Sequence, residues 1–190
     1  NYYLQINMNY KNIKIEKYQE TINLIENKEY DKSLVNLTKF IEEDKNDFYA
    51  HQLLSLVYVK FEKLDAAINH LNTSIELNSK NPGAYYNLGM IYQSLNNFDK
   101  SIELFLKTIE QDPNFIDAYL SIAKICQNNN NMIEANKYYQ KALLINKDNL
   151  PSNKLYSNFL IKVGELTKGL TYQYKYFGVV RFDKNGIKII

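Results

Sequence analysis

Residues 85–105 read YYNLGMIYQSLNNFDKSIELF and contain two helical patterns separated by a polar turn. In the first half, Leu88 and Tyr92 lie four residues apart, which places both side chains on one face of a helix. After the turn LNNFD the apolar pattern restarts with Ile102 and Phe105. The stretch therefore predicts a hairpin of two short helices.

Small residues recur every 34 residues along the chain, on the apolar side of both helical patterns. The two columns are Thr21, Ser55, Gly89, Ala123 and Ser157, and Ser33, Ala67, Ser101, Ala135 and Gly169. A small side chain lets the two helices of a hairpin approach closely, and a repeat of this length indicates stacked hairpins. The period predicts an N-terminal extension at 1–13 and a solenoid at 14–183, with repeats 14–47, 48–81, 82–115, 116–149 and 150–183.

The boundaries between hairpins carry helix-capping residues. The sequence NPG at 81–83 offers an asparagine cap followed by a proline in the first helical turn. We expect DPN at 112–114 to begin the next helix in the same way.

A change of pattern follows the last repeat, at residues 178–190. The sequence GVVRFDKNGIKII has two runs rich in β-branched residues on either side of a turn in which Gly186 can adopt a positive φ. It predicts a short β-hairpin that overlaps the end of the fifth repeat. Two interpretations stay open: a cap over the end of the solenoid, or the start of a further domain.

The third repeat carries a recognisable set of residues: Tyr85, Leu88, Gly89, Tyr92, Ser101, Phe105 and Pro113. In this order it resembles the tetratricopeptide repeat, whose signature is aromatic-x-x-Leu-Gly-x-x-Tyr, then Ala-x-x-x-Phe, then Pro. The resemblance implies an all-α fold, a right-handed α-solenoid of five 34-residue helix-turn-helix repeats. The first repeat departs from the signature at Glu20, and the fifth departs at Gly169 and Gln173.

The composition excludes several functional classes. A net charge of +2 over 190 residues does not indicate a nucleic-acid-binding protein. No apolar run approaches the roughly 18 residues of a membrane span. Cys126 is the only cysteine and can form no internal disulfide, so nothing indicates an oxidising compartment and we expect a cytoplasmic protein. We also expect the Cys126 thiol to be buried and inert.

Catalytic and metal-binding patterns are absent from the sequence. His51 and His70 lie 19 residues apart without the spacing of a metal site, and we expect them to be surface or boundary residues. No nucleophile or phosphate-binding motif occurs. The sequence therefore predicts a protein that is not an enzyme and needs no cofactor or metal.

The family resemblance implies that the first helix of each repeat lines a concave groove. The columns expected to face outward there, and to bind a peptide or partner protein, are Tyr49, Gln52, Leu56, Tyr86, Asn87, Met90, Asp117, Ser121, Lys124, Lys154 and Asn158. These residues lack the lysine and asparagine pattern of chaperone-tail receptors, and Asn87 does not recur as an asparagine ladder. We expect its side chain to point away from the core.

Two functions remain open at this stage. One is a protein-interaction scaffold that binds a peptide or partner protein in the groove. The other is a non-catalytic, substrate-recruiting arm of a larger enzyme such as a glycosyltransferase. The start at Asn1 and the strand-like end at Ile190 favour the second function, while the complete set of repeats favours the first.

Overall fold

A computed structural model describes residues 15–177, 180–181 and 188–189. The predicted N-terminal extension at 1–13 lies outside these residues. Within them the chain forms ten helices and two short strands, in the order α1 (Ile15–Glu26), α2 (Tyr30–Glu43), α3 (Phe48–Lys60), α4 (Leu64–Leu77), α5 (Pro82–Ser94), α6 (Phe98–Gln111), α7 (Ile116–Asn128), α8 (Met132–Ile145), α9 (Leu150–Lys162), α10 (Leu166–Phe177), β1 (Val180–Arg181) and β2 (Lys188–Ile189).

The quoted stretch forms the hairpin of α5 and α6, and its small residues lie where the two helices cross. Ser101 Oγ donates a hydrogen bond of 2.9 Å to the carbonyl oxygen of Gly89. A Cβ atom added at Gly89 would lie 2.7 Å from Cε1 of Phe105, which is closer than carbon atoms pack. Glycine is therefore required at this crossing because the ring of Phe105 fills the space that a side chain would occupy.

The turn inside each hairpin repeats with the same period as the small residues. One residue in each turn has a positive φ, and these residues are Lys28, Glu62, Asn96, Asn130 and Gly164. They follow the C-termini of α1, α3, α5, α7 and α9, where a left-handed residue ends a helix and reverses the chain. All five hairpins therefore share one turn geometry, although glycine, the residue best suited to it, occupies only the last.

Side-chain caps begin several of the helices. Asn81 accepts the N–H of Gly83 at 3.2 Å at the start of α5, with Pro82 in the first turn, as expected. The expectation for 112–114 is wrong: Asp112 ends α6 in an extended conformation, and α7 begins only at Ile116. The second helices of the first four hairpins end in one column, at Glu43, Leu77, Gln111 and Ile145, so Asp112 and Pro113 belong to the turn between hairpins.

The helices divide into two compact units, Asn1–Asp112 and Pro113–Ile190. In the first unit the core includes Tyr18, Leu37, Leu53 and Val57 in one cluster, and Ala67, Leu71, Leu88 and Leu104 in another. In the second unit the most deeply buried large side chains are Tyr139, Ile122 and Ile125. Each unit is a stack of helical hairpins, the arrangement of an α-solenoid.

The two strands belong to the second unit. They pair antiparallel, with Val180 opposite Ile189 and Arg181 opposite Lys188. The turn predicted around Gly186 lies outside the described residues. Among the described helices, none is both long enough and apolar enough to span a membrane.

Candidate functional site

The first helices of the second and third repeats carry six of the candidate residues, and we call this surface the α3–α5 face. Its members are Tyr49, Gln52 and Leu56 of α3, and Tyr86, Asn87 and Met90 of α5. A hydrogen bond of 2.7 Å from Asn81, the cap of α5, to Gln52 joins the two helices directly. This hydrogen bond therefore links, within the first unit, the two helices that carry the six residues.

The start of α3 is fixed by contacts with α1. Asp47 caps α3 by accepting the N–H of Ala50 at 2.9 Å, and its carboxylate also accepts hydrogen bonds from Tyr18 Oη at 2.6 Å and Lys17 Nζ at 2.7 Å. Burial alone would raise the pKa of Asp47, but these three donors outweigh that effect and leave the pKa lowered. The ring of Tyr18 packs edge-on against Tyr49, with centroids 4.8 Å apart. These contacts hold the first turn of the α3–α5 face in place.

The expectation that this face points freely outward is wrong for most of its members. Five of them are buried, and only Met90 is half-buried. The reason is that neighbouring helices cover them: Tyr49 lies against Tyr18 of α1, in the preceding repeat. Tyr86 likewise lies against Phe105 of its own repeat, at a centroid distance of 5.5 Å. The buried members are Tyr49, Gln52, Leu56, Tyr86 and Asn87.

The side-chain amide of Gln52 has a defined orientation. Asn81 Oδ1 accepts the N–H of Gly83, so Nδ2 of Asn81 is the atom that donates to Gln52, and Gln52 must present Oε1. Nδ2 of Asn81 also lies 3.4 Å from Oγ of Ser74. Nε2 of Gln52 makes no hydrogen bond with any residue in the described part of the chain. Gln52 therefore keeps one unused donor group.

Asn87 is the other amide on the face. Only 3% of its surface is exposed, and its side chain has no hydrogen-bond partner among the described residues. The side chain is therefore far less exposed than expected. Within the described residues, the side chains with a completely enclosed and unpaired oxygen are Asn153, Ser157 and Gln173. The amide of Asn87 is not among them, so it retains a narrow access to solvent.

The remaining candidate residues belong to the second unit and are less buried. Lys124, Lys154 and Asn158 are exposed, as expected, while Asp117 and Ser121 are half-buried. Burial raises the pKa of the Asp117 carboxyl. Asn158 Oδ1 accepts a hydrogen bond of 3.3 Å from Gln173. This second set is therefore polar and charged, unlike the α3–α5 face.

Two further expectations need correction. His51 is buried instead of lying at the surface or boundary, whereas His70 is half-buried, and the Nδ1 atoms of the two rings lie 2.9 Å apart. The repeat columns could have indicated this contact, because the same two columns in the fourth repeat hold Tyr119 and Tyr138, whose rings are also in contact.

Cys126 is half-buried instead of buried, and burial raises the pKa of its thiol. In the described residues no group of three or more potential ligands is placed to hold a metal ion.

Comparisons with solved structures agree on the fold. The match to a crystal structure of MamA covers 83% of this chain and 92% of the MamA chain, with a TM-score of 0.69 and 17% sequence identity. The match to the Pseudomonas aeruginosa protein pilF covers 86% of this chain and 74% of the pilF chain, with a TM-score of 0.76 and 17% sequence identity. The match to YrrB, described as a TPR protein with an unusual peptide-binding site, covers 75% of this chain and 73% of the YrrB chain. Its TM-score is 0.63 and its sequence identity is 20%. At these identities the likeness shows the fold alone.

Family comparisons agree with the structure. No curated protein matches the chain in sequence. Models described as tetratricopeptide repeat match residues 82–115 and 116–149, and one described as TPR repeat matches residues 56–96. These matches fall on the helical hairpins that share one turn geometry and one pair of small-residue columns. Across residues 56–149 the chain is a tetratricopeptide repeat protein.

Proposed function

We propose that this protein is a protein-interaction scaffold whose α3–α5 face binds an extended segment of a partner protein. The observation that carries the proposal is the amide of Asn87, which is almost completely buried and has no hydrogen-bond partner among the described residues. Buried polar groups in folded proteins are nearly always paired, because an unpaired one costs about 1–3 kcal/mol. A ligand that pairs with this amide would replace its narrow contact with solvent by direct hydrogen bonds.

Gln52 provides a second contact of the same kind. Its carbonyl oxygen is held by Asn81, so its unused Nε2 donor has a fixed direction. An extended peptide presents carbonyl and N–H groups on alternate sides of its backbone, and a side-chain amide can pair with them without regard to sequence. Two such amides on neighbouring helices suit an extended main chain better than a folded surface.

The other members of the face provide apolar contact area. Tyr49, Leu56 and Tyr86 are buried aromatic or apolar residues on the same two helices as the amides, and the half-buried Met90 is the most exposed member. Methionine adapts its shape to different ligand side chains. No member of the face carries a charge, so we infer that the bound segment presents uncharged, apolar side chains to it.

Other parts of the proposal rest on the sequence and the family. YrrB is described as having a peptide-binding site, which supports peptide binding as the mode of action here. We also propose a right-handed sense for the stacked repeats, a cytoplasmic location, and a role without catalysis. In this account the partner is a protein or peptide, with no part for nucleic acid or membrane.

The proposal is tested with a peptide selected for binding. A phage library of random dodecapeptides is panned against the protein at about pH 7.5, and the most enriched peptide is then titrated by calorimetry. The Asn87→Ala variant should bind this peptide about 5- to 150-fold more weakly, the equivalent of about 1–3 kcal/mol for lost hydrogen bonds in a desolvated site. Asn72→Ala is the matched control, because Asn72 is an exposed asparagine on α4.

The fold of the variant gives an independent check. The side chain of Asn87 makes no hydrogen bond with the described residues, and alanine is a better helix former by up to about 0.7 kcal/mol. Asn87→Ala should therefore be as stable as the wild type or slightly more stable, even though it binds the peptide poorly. If Asn87→Ala binds like the wild type and Asn72→Ala does not, the binding surface lies on the second helices and the proposal is wrong.

A further inference from the structure

The two histidines of the chain form a direct contact between α3 and α4, which we call the histidine pair (His51 and His70). Their Nδ1 atoms are 2.9 Å apart and their ring centroids 5.1 Å apart. The centroid distance is only slightly less than the nitrogen separation plus two ring radii, so the two nitrogens point at each other. This is the geometry of a hydrogen bond. It differs from that of a chelate, in which both lone pairs converge on a third point.

The protonation states of the pair follow from a third group. Nε2 of His51 lies 3.3 Å from the carbonyl oxygen of Lys45, which can only accept a hydrogen bond. Nε2 of His51 must therefore carry a proton, and in the neutral ring Nδ1 is then an acceptor. His70 consequently donates from Nδ1 and keeps its free lone pair on Nε2. One proton thus lies between the two rings.

The surroundings of the pair offer little compensation for added charge. His51 is 8% exposed, and the half-buried ring of His70 stacks on Tyr58 with centroids 5.3 Å apart and planes at 10°. Burial, followed by the charge of His51, lowers the pKa of His70. In the part of the chain that the structure describes, neither imidazole forms an ion pair with a carboxylate.

The charged groups on neighbouring elements do not face the pair as counter-ions. In the loop between α2 and α3, Asp47 is engaged by Lys17 and Tyr18, and the side chains of Asp44 and Lys45 are exposed. The helix α5 carries no charged residue. The acidic side chains of α2 and α4 are exposed: Asp31, Glu42, Glu43, Asp65 and Glu76.

We propose that the histidine pair is an acid-sensitive contact that holds α3 against α4 and so regulates the α3–α5 face. One added proton, at Nε2 of His70, preserves the hydrogen bond between the rings. A second proton, on Nδ1 of His51, would place two like charges at contact distance without a counter-ion. The separated rings accept both protons freely, so acid favours their separation.

The regulation of binding follows from the position of His51 in the chain. Gln52 directly follows His51, and Tyr49 lies two residues before His51. Separation of α3 from α4 would displace these two members of the α3–α5 face. This consequence rests on the proposed function, whereas the acid-sensitive contact itself does not.

The contact is tested first by nitrogen NMR of the wild-type imidazoles. The chain contains only two histidines, so the assignment is direct. At about pH 7.5 we expect one ring protonated at Nε2 and the other at Nδ1, with a coupling between the two facing nitrogens across the hydrogen bond. On acidification the rings should titrate in two linked steps. Two independent titrations would overturn the inference.

The linkage is tested by unfolding the wild type and the double variant His51→Gln and His70→Gln between about pH 7.5 and about pH 5. Below about pH 6.5 the unfolding constant of the wild type should rise relative to the variant, by up to about tenfold per pH unit for each extra proton taken up. Tyr138→Phe, in the column of His70, is the control and should follow the wild type. Equal pH dependence in the wild type and the double variant would overturn the inference, and the NMR test stands even if the double variant does not fold.

The effect on binding is measured with the selected dodecapeptide. The wild type should bind it more weakly at about pH 5.5 than at about pH 7.5, whereas the double variant should bind equally at both values. If linked titration is seen but no peptide binds at either pH, the proposed function fails and the acid-sensitive contact stands. If the peptide binds equally at both pH values and the rings titrate independently, the inference fails and the proposed function stands.

Discussion

The crossing of α5 and α6 allows one substitution to be worked out in detail: Gly89→Ala. The added Cβ would lie 2.7 Å from Cε1 and 2.9 Å from Cδ1 of Phe105. Phe105 is completely buried, and two atoms of its ring are involved, so the whole ring must move. The crossing itself is held by the hydrogen bond of Ser101 to the Gly89 carbonyl, which restricts the separation of the helices.

Two opposing effects decide the size of the change. Alanine in place of glycine inside a helix stabilises by about 1 kcal/mol. Overpacking a close contact costs about 1–3 kcal/mol, and the rigid ring favours the upper part of that range. We therefore expect Gly89→Ala to lower the free energy of unfolding by about 1–2 kcal/mol, which corresponds to a fall in Tm of about 2–8 °C for a chain of this size.

The assay is thermal unfolding followed by circular dichroism, with a double-mutant cycle as the control. Phe105→Leu removes the clashing ring, and the second repeat already has Leu71 in that column and Ser55 in the column of Gly89. Gly89→Ala should cost less when Phe105→Leu is present, with a favourable coupling of about 1 kcal/mol or more. A raised Tm for Gly89→Ala, or no coupling, would refute this account of the small-residue column.

Three further predictions concern stability. Ala135→Leu should cost about 1–3 kcal/mol because Ala135 is completely buried in the other small column, and an unchanged Tm would contradict this. Glu62→Gly should stabilise the fold by up to about 1 kcal/mol, because Glu62 has a left-handed φ of 59° that glycine adopts without strain. The control Glu103→Gly, inside α6, should destabilise the fold, and equal effects of the two substitutions would show that the turn is unimportant. Asp47→Asn keeps a cap but loses charged hydrogen bonds, so it should cost about 1–3 kcal/mol at pH 7. Because the pKa of Asp47 is lowered from 3.8, wild-type stability should fall as pH drops below that value, and urea unfolding should show a smaller fall in the variant.

The helical hairpins could be predicted because their physical requirements repeat. A close crossing needs a small residue, as at Gly89 and Ser101, and this need returns with every hairpin. A sharp turn needs a left-handed residue, but its column contains Lys28 and Glu62 as well as glycine, so composition alone does not reveal it. The motif DPN does not define the boundary at Pro113, because the pair aspartate–proline occurs both just after a helix and at the start of one.

The candidate site was harder to predict because burial depends on neighbouring helices. The spacing of Gln52 and Asn87 identifies the helix face that carries them, but not how deeply neighbouring parts of the fold bury them. The free donor of Gln52 depends on the cap residue Asn81, which lies 29 residues away in sequence. The contact between His51 and His70 requires two columns to be compared across one hairpin. Single-helix patterns do not contain this information.

The most direct measurement of the central claim is a side-chain amide NMR titration with the selected dodecapeptide. The account predicts that the NH₂ resonances of Asn87 and Gln52 shift as the peptide saturates the protein, because both groups gain hydrogen-bond partners, while those of Asn72 stay in place. If the peptide binds to saturation and the Asn87 amide resonances do not move, the α3–α5 face is not the binding surface.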